Sequence, residues 1–352
     1  MRLISTKELK GGEILARAIV TEDYNELLSE GTELKEEYVE KLLNLGISEI
    51  YISDENDVSD EDIEILKEEV KEKCKEQIQT IISRHTFSRQ SEDMVVLCET
   101  ADDIINTIME DDAVVERIYD IKAHKADIFE HSINVCSLSI LTALKLGLQH
   151  SNIRDIGIGC LLHDIGLKYI TVDYLDIDIK YLDNKRQTEY KKHPIYGYDS
   201  VQEEAWLPTI SKDIILGHHE RLDGSGYPLH TKDQPVEQRI VAVCDFFDEA
   251  ICGIGYDRQK VYKIIEYLKM NKGTIFDSNV INAMFKFIAV YPARSIVKLN
   301  TGETAMVVKQ NNGFPERPVL QLVKNSSGED VSGEIVIDML KQNNVFIDEV
   351  IG

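Results

Sequence analysis

Apolar positions follow different rhythms along this chain. In the first 55 residues, Ala16-Arg-Ala-Ile-Val20 reads as a strand and Leu34 to Leu45 carries helical spacing. Glu49-Ile-Tyr-Ile-Ser53 reads as a second short strand before an acidic, turn-like stretch. Between residues 60 and 84, Ile63, Leu66, Val70, Cys74, Ile78 and Ile81 recur every three or four positions with Lys and Glu between them. That is the one-sided stripe of an amphipathic helix. It predicts either a helix packed on its own protein or a short coiled-coil seam of about three heptads, giving a homodimer through residues 60–84. Residues 98 to 290 are helical in period, broken by a polar stretch from Asp173 to Lys192 and by Arg221-Leu-Asp-Gly-Ser-Gly-Tyr-Pro228. Two glycines and a proline forbid a continuous helix there. After Pro292 the period changes to that of strands, at Ser295-Ile-Val-Lys-Leu, Thr304-Ala-Met-Val-Val and Val319-Leu-Gln-Leu-Val. Asn300-Thr-Gly and Asn311-Asn-Gly-Phe-Pro mark turns between them. The expectation is a multi-domain chain: an α/β unit plus helix over 1–95, an all-α domain over 96–291 and a small β domain over 292–352.

Charge narrows the partners. With 63 acidic and 39 basic residues the formal net charge is −24, which disfavours a nucleic-acid duplex or an anionic membrane as the main partner. A small anionic ligand stays open, because a bound cation reverses the local field. No apolar run is long enough to span a bilayer. Met1 to Lys10 carries charges where the apolar part of a signal peptide would sit, so a cytoplasmic location is expected. The six cysteines, at 74, 98, 136, 160, 244 and 252, form no C-x-x-C pair, and several lie in apolar runs. They read as reduced, buried thiols.

Candidate chemistry sits where polar residues interrupt the apolar helices. His163 and Asp164 are adjacent within Leu161-Leu-His-Asp-Ile-Gly166. A buried His-Asp pair has a structural reading, the carboxylate holding the imidazole. His218-His219-Glu220 opens the glycine-rich loop, and His193 precedes a proline. Asp245 lies in the apolar run from Ile240 to Phe247, where a buried carboxylate needs a cation or several donors. Arg239 or Arg221 are alternative partners for it. Asp127 and His131 stand at i and i+4, on one helix face. Together Asp127, His131, His163, Asp164, His193, His218, His219 and Asp245 form a nitrogen and oxygen ligand set without thiolate. Such a set suits iron or manganese, and also zinc. It exceeds one tetrahedral site and fits two or three divalent ions bridged by carboxylates. His85, His124, His150 and His230 lack such company and read as surface or structural.

These residues resemble the HD-GYP family, a branch of the HD phosphohydrolases, over roughly 100 to 290. His163-Asp164-Ile-Gly is similar to the HD part. His218-His-Glu-Arg-Leu-Asp-Gly-Ser-Gly-Tyr-Pro228 is similar to the full HHExxDGxGYP signature. His131-Ser-Ile-Asn-Val, His193-Pro and Ile240-Val-Ala-Val-Cys-Asp245 fall in the family's order. The resemblance implies an all-helical, metal-bound domain that hydrolyses cyclic di-GMP to pGpG or GMP. It implies a regulatory role for the N-terminal unit and an accessory role for the β domain. It also implies substrate contacts at Arg221, Asp223, Gly226 and Tyr227, the tyrosine ring stacking on a base or bonding a phosphate. Many members read His-Asp-x-Gly-Lys, whereas here residue 167 is Leu and Lys168, the candidate for assisting the leaving group beside Asp164, comes one residue late. The basic residues that hold phosphates in members are shifted toward Arg258 and Lys260. Relatives with an acidic residue at the place of Asp127 can hold a third ion, so Asp127 and His131 are expected to create one. The alternatives are a hydrolase of another cyclic nucleotide or dinucleotide, a catalytically weak receptor that binds the nucleotide and signals, and a metal- or oxygen-sensing protein in which the cluster is the sensor.

Overall fold

The computed structural model describes residues 127–311, 313–331 and 335–351, the helices over 68–83 and 91–109, and Leu66. Of the first 53 residues it describes 2–6, 9, 11–15, 19–20, 26–28, 32–44, 47 and 49–53. The chain divides into two contact units, 1–63 and 64–352.

In the first unit, β1 (Arg2–Ser5), β2 (Ile14–Leu15), β3 (Ile19–Val20), β4 (Glu26–Leu28), α1 (Glu36–Asn44) and β5 (Glu49–Ser53) follow in order. β1, β5 and β2 form an antiparallel sheet with β5 in the middle. Leu15, Leu34, Leu42, Ile50 and Ile52 make its core. The strand expected over 16–20 is described only at Ile19–Val20, and residues 16–18 lie outside the described residues.

The second unit begins with α2 (Glu68–Ser83) and α3 (Ser91–Met109). Leu66, Cys74 and Ile78 are buried in the same core as residues 101–290, with Val70 packed against it. Hence the boundary lies at 63/64, not near 95. α2 packs on α3 and on the helix over 128–145, so the described part of the apolar stripe is covered by this chain's own helices. Ile63 and the side chain of Ile81 lie outside the described residues.

α4 (Ile128–Lys145) is apolar on nearly every face, with Ile133, Val135, Leu138, Ile140 and Leu141 buried. A helix of that pattern belongs in the middle of a domain. Its polar residues are satisfied locally: Ser132, Ser137 and Thr142 donate to the carbonyls four residues back. Around it stand α5 (His150–Leu162), α6 (Asn184–Tyr190), α7 (His193–Val201), α8 (Thr209–Gly217), α9 (Val236–Cys252), α10 (Val261–Met270) and α11 (Ser278–Met284). A 3-10 turn over Ile165–Tyr169 follows α5. A Cβ at Gly166 would lie 1.9 Å from the His193 carbonyl oxygen and 2.7 Å from the Gly197 nitrogen. Only glycine lets this turn pack so closely against the start of α7.

The chain ends in an antiparallel sheet of β6 (Ile296–Leu299), β7 (Thr304–Lys309), β8 (Val319–Lys324), β9 (Val336–Asp338) and β10 (Ile347–Val350), in the order β10-β6-β7-β8-β9. Val297, Leu299, Ala305, Val307 and Leu320 alternate inward to form its core. β9 and β10 were not expected from their short, mixed runs. No described helix is long and apolar enough to cross a membrane.

Candidate metal centre

Three of the histidines are held by backbone carbonyls at helix C-terminal ends, which lack an intrahelical partner. His163 caps α5, and its Nδ1 donates to the Cys160 carbonyl at 2.6 Å. His193 follows α6, and its Nδ1 donates to the Tyr190 carbonyl at 2.8 Å. His218 caps α8, and its Nδ1 faces the carbonyls of Ile214 and Ile215 at 3.2 and 3.1 Å. His131, in the first turn of α4, donates from Nδ1 to Asp248 Oδ2 at 2.7 Å. Each carbonyl or carboxylate fixes the proton on Nδ1 and leaves the Nε2 lone pair pointing inward.

Those four Nε2 atoms converge in two pairs. His131 and His163 approach at 3.2 Å, and so do His193 and His218. All four rings are wholly buried. With the protons on Nδ1, neither Nε2 can donate to the other, so each pair is suited to share a cation.

Carboxylates complete the arrangement. Asp164 Oδ1 lies 3.3 Å from His193 Nε2 and 3.7 Å from His218 Nε2, while its Oδ2 lies 3.7 Å from His131 Nε2 and 3.5 Å from His163 Nε2. Asp164 therefore faces both pairs. Asp245 Oδ1 lies 3.2 Å from both His131 Nε2 and His163 Nε2. Asp164 Oδ2 and both Asp245 oxygens are buried without a hydrogen-bond partner. Orphaned buried carboxylate oxygens are costly unless a cation takes them up. The donor set thus fits divalent ions, grouped as Asp164, His193, His218 and His219, and as His131, His163 and Asp245. Neither Arg239 nor Arg221 partners Asp245: Arg239 binds Asp277 at 3.1 Å, and Arg221 donates to the carbonyls of His218 and Glu220.

The electrostatics differ between the two groups: burial lowers His131 and His163, but the Asp245 and Asp248 carboxylates on the one and Asp164 and Asp245 on the other raise both above the usual imidazole value, so this half of the centre attracts positive charge. Burial, reinforced by the His163 and His193 imidazoles, pushes His218 down to about 3. Burial and the neighbouring His218 hold His219 well below its usual value. Both are neutral, the form that binds metal. Burial raises Asp164, but the surrounding histidines outweigh it and keep it ionised. Burial pushes Glu249 well above the usual carboxylate range, helped by Asp245 and Asp164.

Asp127 corrects the expected third ligand pair. It is the N-cap of α4, accepting from the Phe129 and Glu130 nitrogens at 2.9 and 3.2 Å, and it pairs with Lys75 at 2.8 Å. Its oxygens are turned to the helix N-terminus, as N-cap carboxylates are, and it joins none of the ligand groups. Two acids on α9 were missed instead, Asp248 and Glu249. They lie three and four residues beyond Asp245, hence on the same helix face. That spacing was the available signal.

A cavity of about 290 Å³ opens beside the centre, with His219 and Glu249 in its wall. Tyr190, Tyr227, Phe246, Tyr256, Tyr267 and Phe276 line it, as do Lys180, Lys191 and Arg221. Tyr227 stacks on His219 with ring centroids 4.5 Å apart. A Cβ at Gly226, also in the wall, would lie 2.4 Å from the His219 carbonyl oxygen, so the loop needs glycine to pass there. Arg221, Gly226 and Tyr227 thus fall where expected. Four residues do not. Asp223 is exposed and accepts from the Ser225 nitrogen at 2.9 Å. Arg258 is exposed and pairs with Asp176 at 2.7 Å. Lys260 is exposed at the N-cap of α10. Lys168 is exposed with its Nζ over the Tyr169 ring, while Leu167 is buried. In a 3-10 turn each step rotates the side chain by about 120°, so the one-residue offset puts the ammonium outside. Lys180 and Lys191 come instead from the polar stretch read only as a loop. His150 and His230 are exposed, as expected. Five cysteines, at 74, 136, 160, 244 and 252, are free and buried. The Cys98 side chain, His85 and His124 lie outside the described residues.

A helical bundle whose helix ends present histidines to a His-Asp pair defines an HD-type metal-binding domain. Residues 114–280 match the HD domain, and residues 296–352 match the KOW domain associated with HD domain. The chain therefore carries an HD domain, and its relatives support the resemblance to the HD-GYP branch. It is 28% identical over 190 residues to the cyclic di-GMP phosphodiesterase PA4108 of Pseudomonas aeruginosa, covering 52% of this chain and 44% of that protein. It is 33% identical over 150 residues to the cyclic di-GMP phosphodiesterase response regulator RpfG of Xanthomonas campestris, covering 42% of this chain and 39% of that protein. The chain thus spans less than half the length of both. Its fold resembles that of Bd1817, a HDG"Y"P protein from Bdellovibrio bacteriovorus, with a TM-score of 0.55 and 19% identity over 80% of this chain and 97% of that one.

Proposed function

We propose that the chain is a metal-dependent phosphodiesterase that hydrolyses cyclic di-GMP to pGpG or GMP. The observation that carries this reading is the juxtaposition of a buried His-Asp ligand set with a cavity lined by aromatic rings and cations. His131, His163 and Asp245 would hold one divalent ion, and His193, His218 and Asp164 another, with Asp164 shared. Iron or manganese suits these nitrogen and oxygen ligands, and zinc is compatible. Bound divalent ions supply Lewis acidity toward a phosphodiester and an activated water near neutral pH.

The chain's own groups supply recognition. Tyr227 and Tyr256, half-buried in the cavity wall, offer aromatic surface to guanine bases. Arg221, Lys180 and Lys191 offer positive charge to phosphates, in a protein whose net charge is otherwise −24. The related phosphodiesterases named above support the cyclic di-GMP assignment.

The test is anaerobic loading with iron or manganese followed by incubation with cyclic di-GMP, with 3′,3′-cyclic GMP-AMP and cyclic di-AMP beside it. The expected result is pGpG or GMP from cyclic di-GMP at the highest rate. Cyclic di-GMP left intact after hours with fully metallated protein would overturn the enzyme reading. The burial of Leu167 and the outward position of Lys168 favour, as second reading, a weakly catalytic receptor. It predicts binding of cyclic di-GMP without turnover.

A further inference from the structure

The polar segment that brings Lys180 to the cavity is pinned along its length. The Asp176 nitrogen donates to the Gly253 carbonyl at 2.6 Å, the Gly255 nitrogen to the Tyr174 carbonyl at 2.8 Å, and the Ile179 nitrogen to the Gly255 carbonyl at 3.1 Å. Gln187 Nε2, from α6, donates to the carbonyls of Lys180 and Leu182 at 3.1 and 2.8 Å. The turn over 178–182 is thus tied both to the end of α9 and to α6. One carboxylate is built into it. Asp178 lines the cavity and is only 6% exposed. Its Oδ1 accepts from the Lys180 nitrogen at 3.1 Å, and its Oδ2 pairs with the Lys180 ammonium. Each carboxylate oxygen has two acceptor sites, so both keep capacity for a further donor. The other described acid in the wall, Glu249, is turned to His219 Nε2 at 3.8 Å.

We propose that Asp178 and Lys180 read the edge of a guanine base held in the cavity, and so set base specificity. Stacking on Tyr227 and Tyr256 does not discriminate, because every base has a π-face. Discrimination falls to polar groups fixed in the wall. Guanine presents two adjacent donors, N1–H and the 2-amino group, beside the O6 acceptor. A carboxylate takes both donors, and an ammonium next to it donates to O6. Adenine presents a donor at N6 and an acceptor at N1, so a carboxylate oxygen would meet a lone pair. A site built to bond a donor rejects the analogue that lacks it, because the buried acceptor is left unmet. Arg221 and Lys191 remain for the phosphates. The proposal deepens the cyclic di-GMP reading and rests on it for the nucleotide nature of the ligand.

Equilibrium binding of GMP, IMP and AMP to the full chain loaded with manganese tests this, because none of the three carries a diester to hydrolyse. IMP differs from GMP only in lacking the 2-amino group. Wild type is expected to bind GMP about tenfold tighter than IMP, as one hydrogen bond to a charged group gives, and AMP more weakly still. Asp178→Asn keeps the size of the side chain and an oxygen for the Lys180 nitrogen, but puts an amide N–H in place of the second acceptor. It is expected to weaken GMP about tenfold, to bring GMP and IMP close to equality and to leave AMP unchanged. A loss shared equally by all three nucleotides would make Asp178 a structural residue and overturn the proposal. Wild-type protein to which GMP does not bind, or binds no tighter than IMP, would overturn it without any variant. Cyclic di-GMP left intact by a protein with an Asp178-dependent preference for GMP would remove the enzymatic reading and keep the base site. Cyclic di-GMP hydrolysed by a protein that binds GMP and IMP alike would do the reverse.

Discussion

In the metal centre beside the cavity, the floor of the whole site, His131, His163, His193 and His218 are wholly buried, and every Nδ1 is tied to a carbonyl or to Asp248. On its rim, Lys180 and Lys191 are exposed, one paired with Asp178 and resting over the Tyr181 ring, the other over the Tyr227 ring. The floor groups cannot relax when a neighbour is lost, since no water reaches them to replace it. The rim groups exchange one partner for another at small cost, because exposed ion pairs contribute little. Substitutions in the two regions should therefore differ in kind. Floor changes abolish a state of the centre, and rim changes grade the affinity for a ligand.

The largest effect is expected on the floor. Asp164→Ala removes the carboxylate that faces both histidine pairs. Losses beyond the ligand sphere already cost about 10–100-fold in metal affinity, so this variant should retain neither metal nor hydrolysis. Metal analysis and turnover measured together check it, and a fully loaded, active Asp164→Ala protein would erase the contrast. Arg221 sits between the regions, half-buried, with its guanidinium over the Phe276 ring at 5.0 Å and its Nη1 donating to two carbonyls. A charge-assisted contact contributes about 1.5–3 kcal/mol, so Arg221→Ala should raise KM about tenfold or more while the metal count stays constant. Lost metal in that variant would make Arg221 a part of the floor.

The smallest effect is expected at Asp127, which lies in neither region. Removing an N-cap costs about 1 kcal/mol of stability, readable in denaturant midpoints, with metal content unchanged. Burial raises the Asp127 carboxyl, but Lys75 and the Glu130 and Phe129 nitrogens bring it below its ordinary value. A carboxyl lowered by folding stabilises the protein above its unfolded pKa, about 3.9, and loses that contribution as pH falls through the folded value. The stability difference between wild type and Asp127→Ala should therefore be present at neutral pH and shrink in acid. A difference that grows in acid would contradict the capping role.

The same contrast governs what could be read in advance. Polar residues inside apolar helical runs, such as His163, Asp164 and Asp245, announce themselves, because burying them needs a reason. The glycine-rich turn at 221–228 did so for Gly226 and Tyr227. Asp127 was misread because i, i+4 spacing places two residues on one face without telling that one of them begins the helix and turns back to cap it. Arg258 and Lys260 were misread because exposed cations are common, and only packing tells which of them face a cavity. The stripe from Leu66 to Ile78 was legible as a helix, but its partner was not: an apolar face demands burial and does not name what buries it.

The chain by itself determined the helical domain, its His-Asp ligand set, the glycine-rich turn and the terminal β domain, since period, turn chemistry and buried polarity are local properties of sequence. Tertiary structure alone decided that the carbonyls ending three helices meet and orient His163, His193 and His218 to present Nε2. It alone decided that Asp164 faces two pairs while Asp245 faces one, and that Lys180 and Lys191, not Arg258, edge the cavity. Those outcomes depend on how helices distant in sequence pack, and the packing is set by the whole core at once.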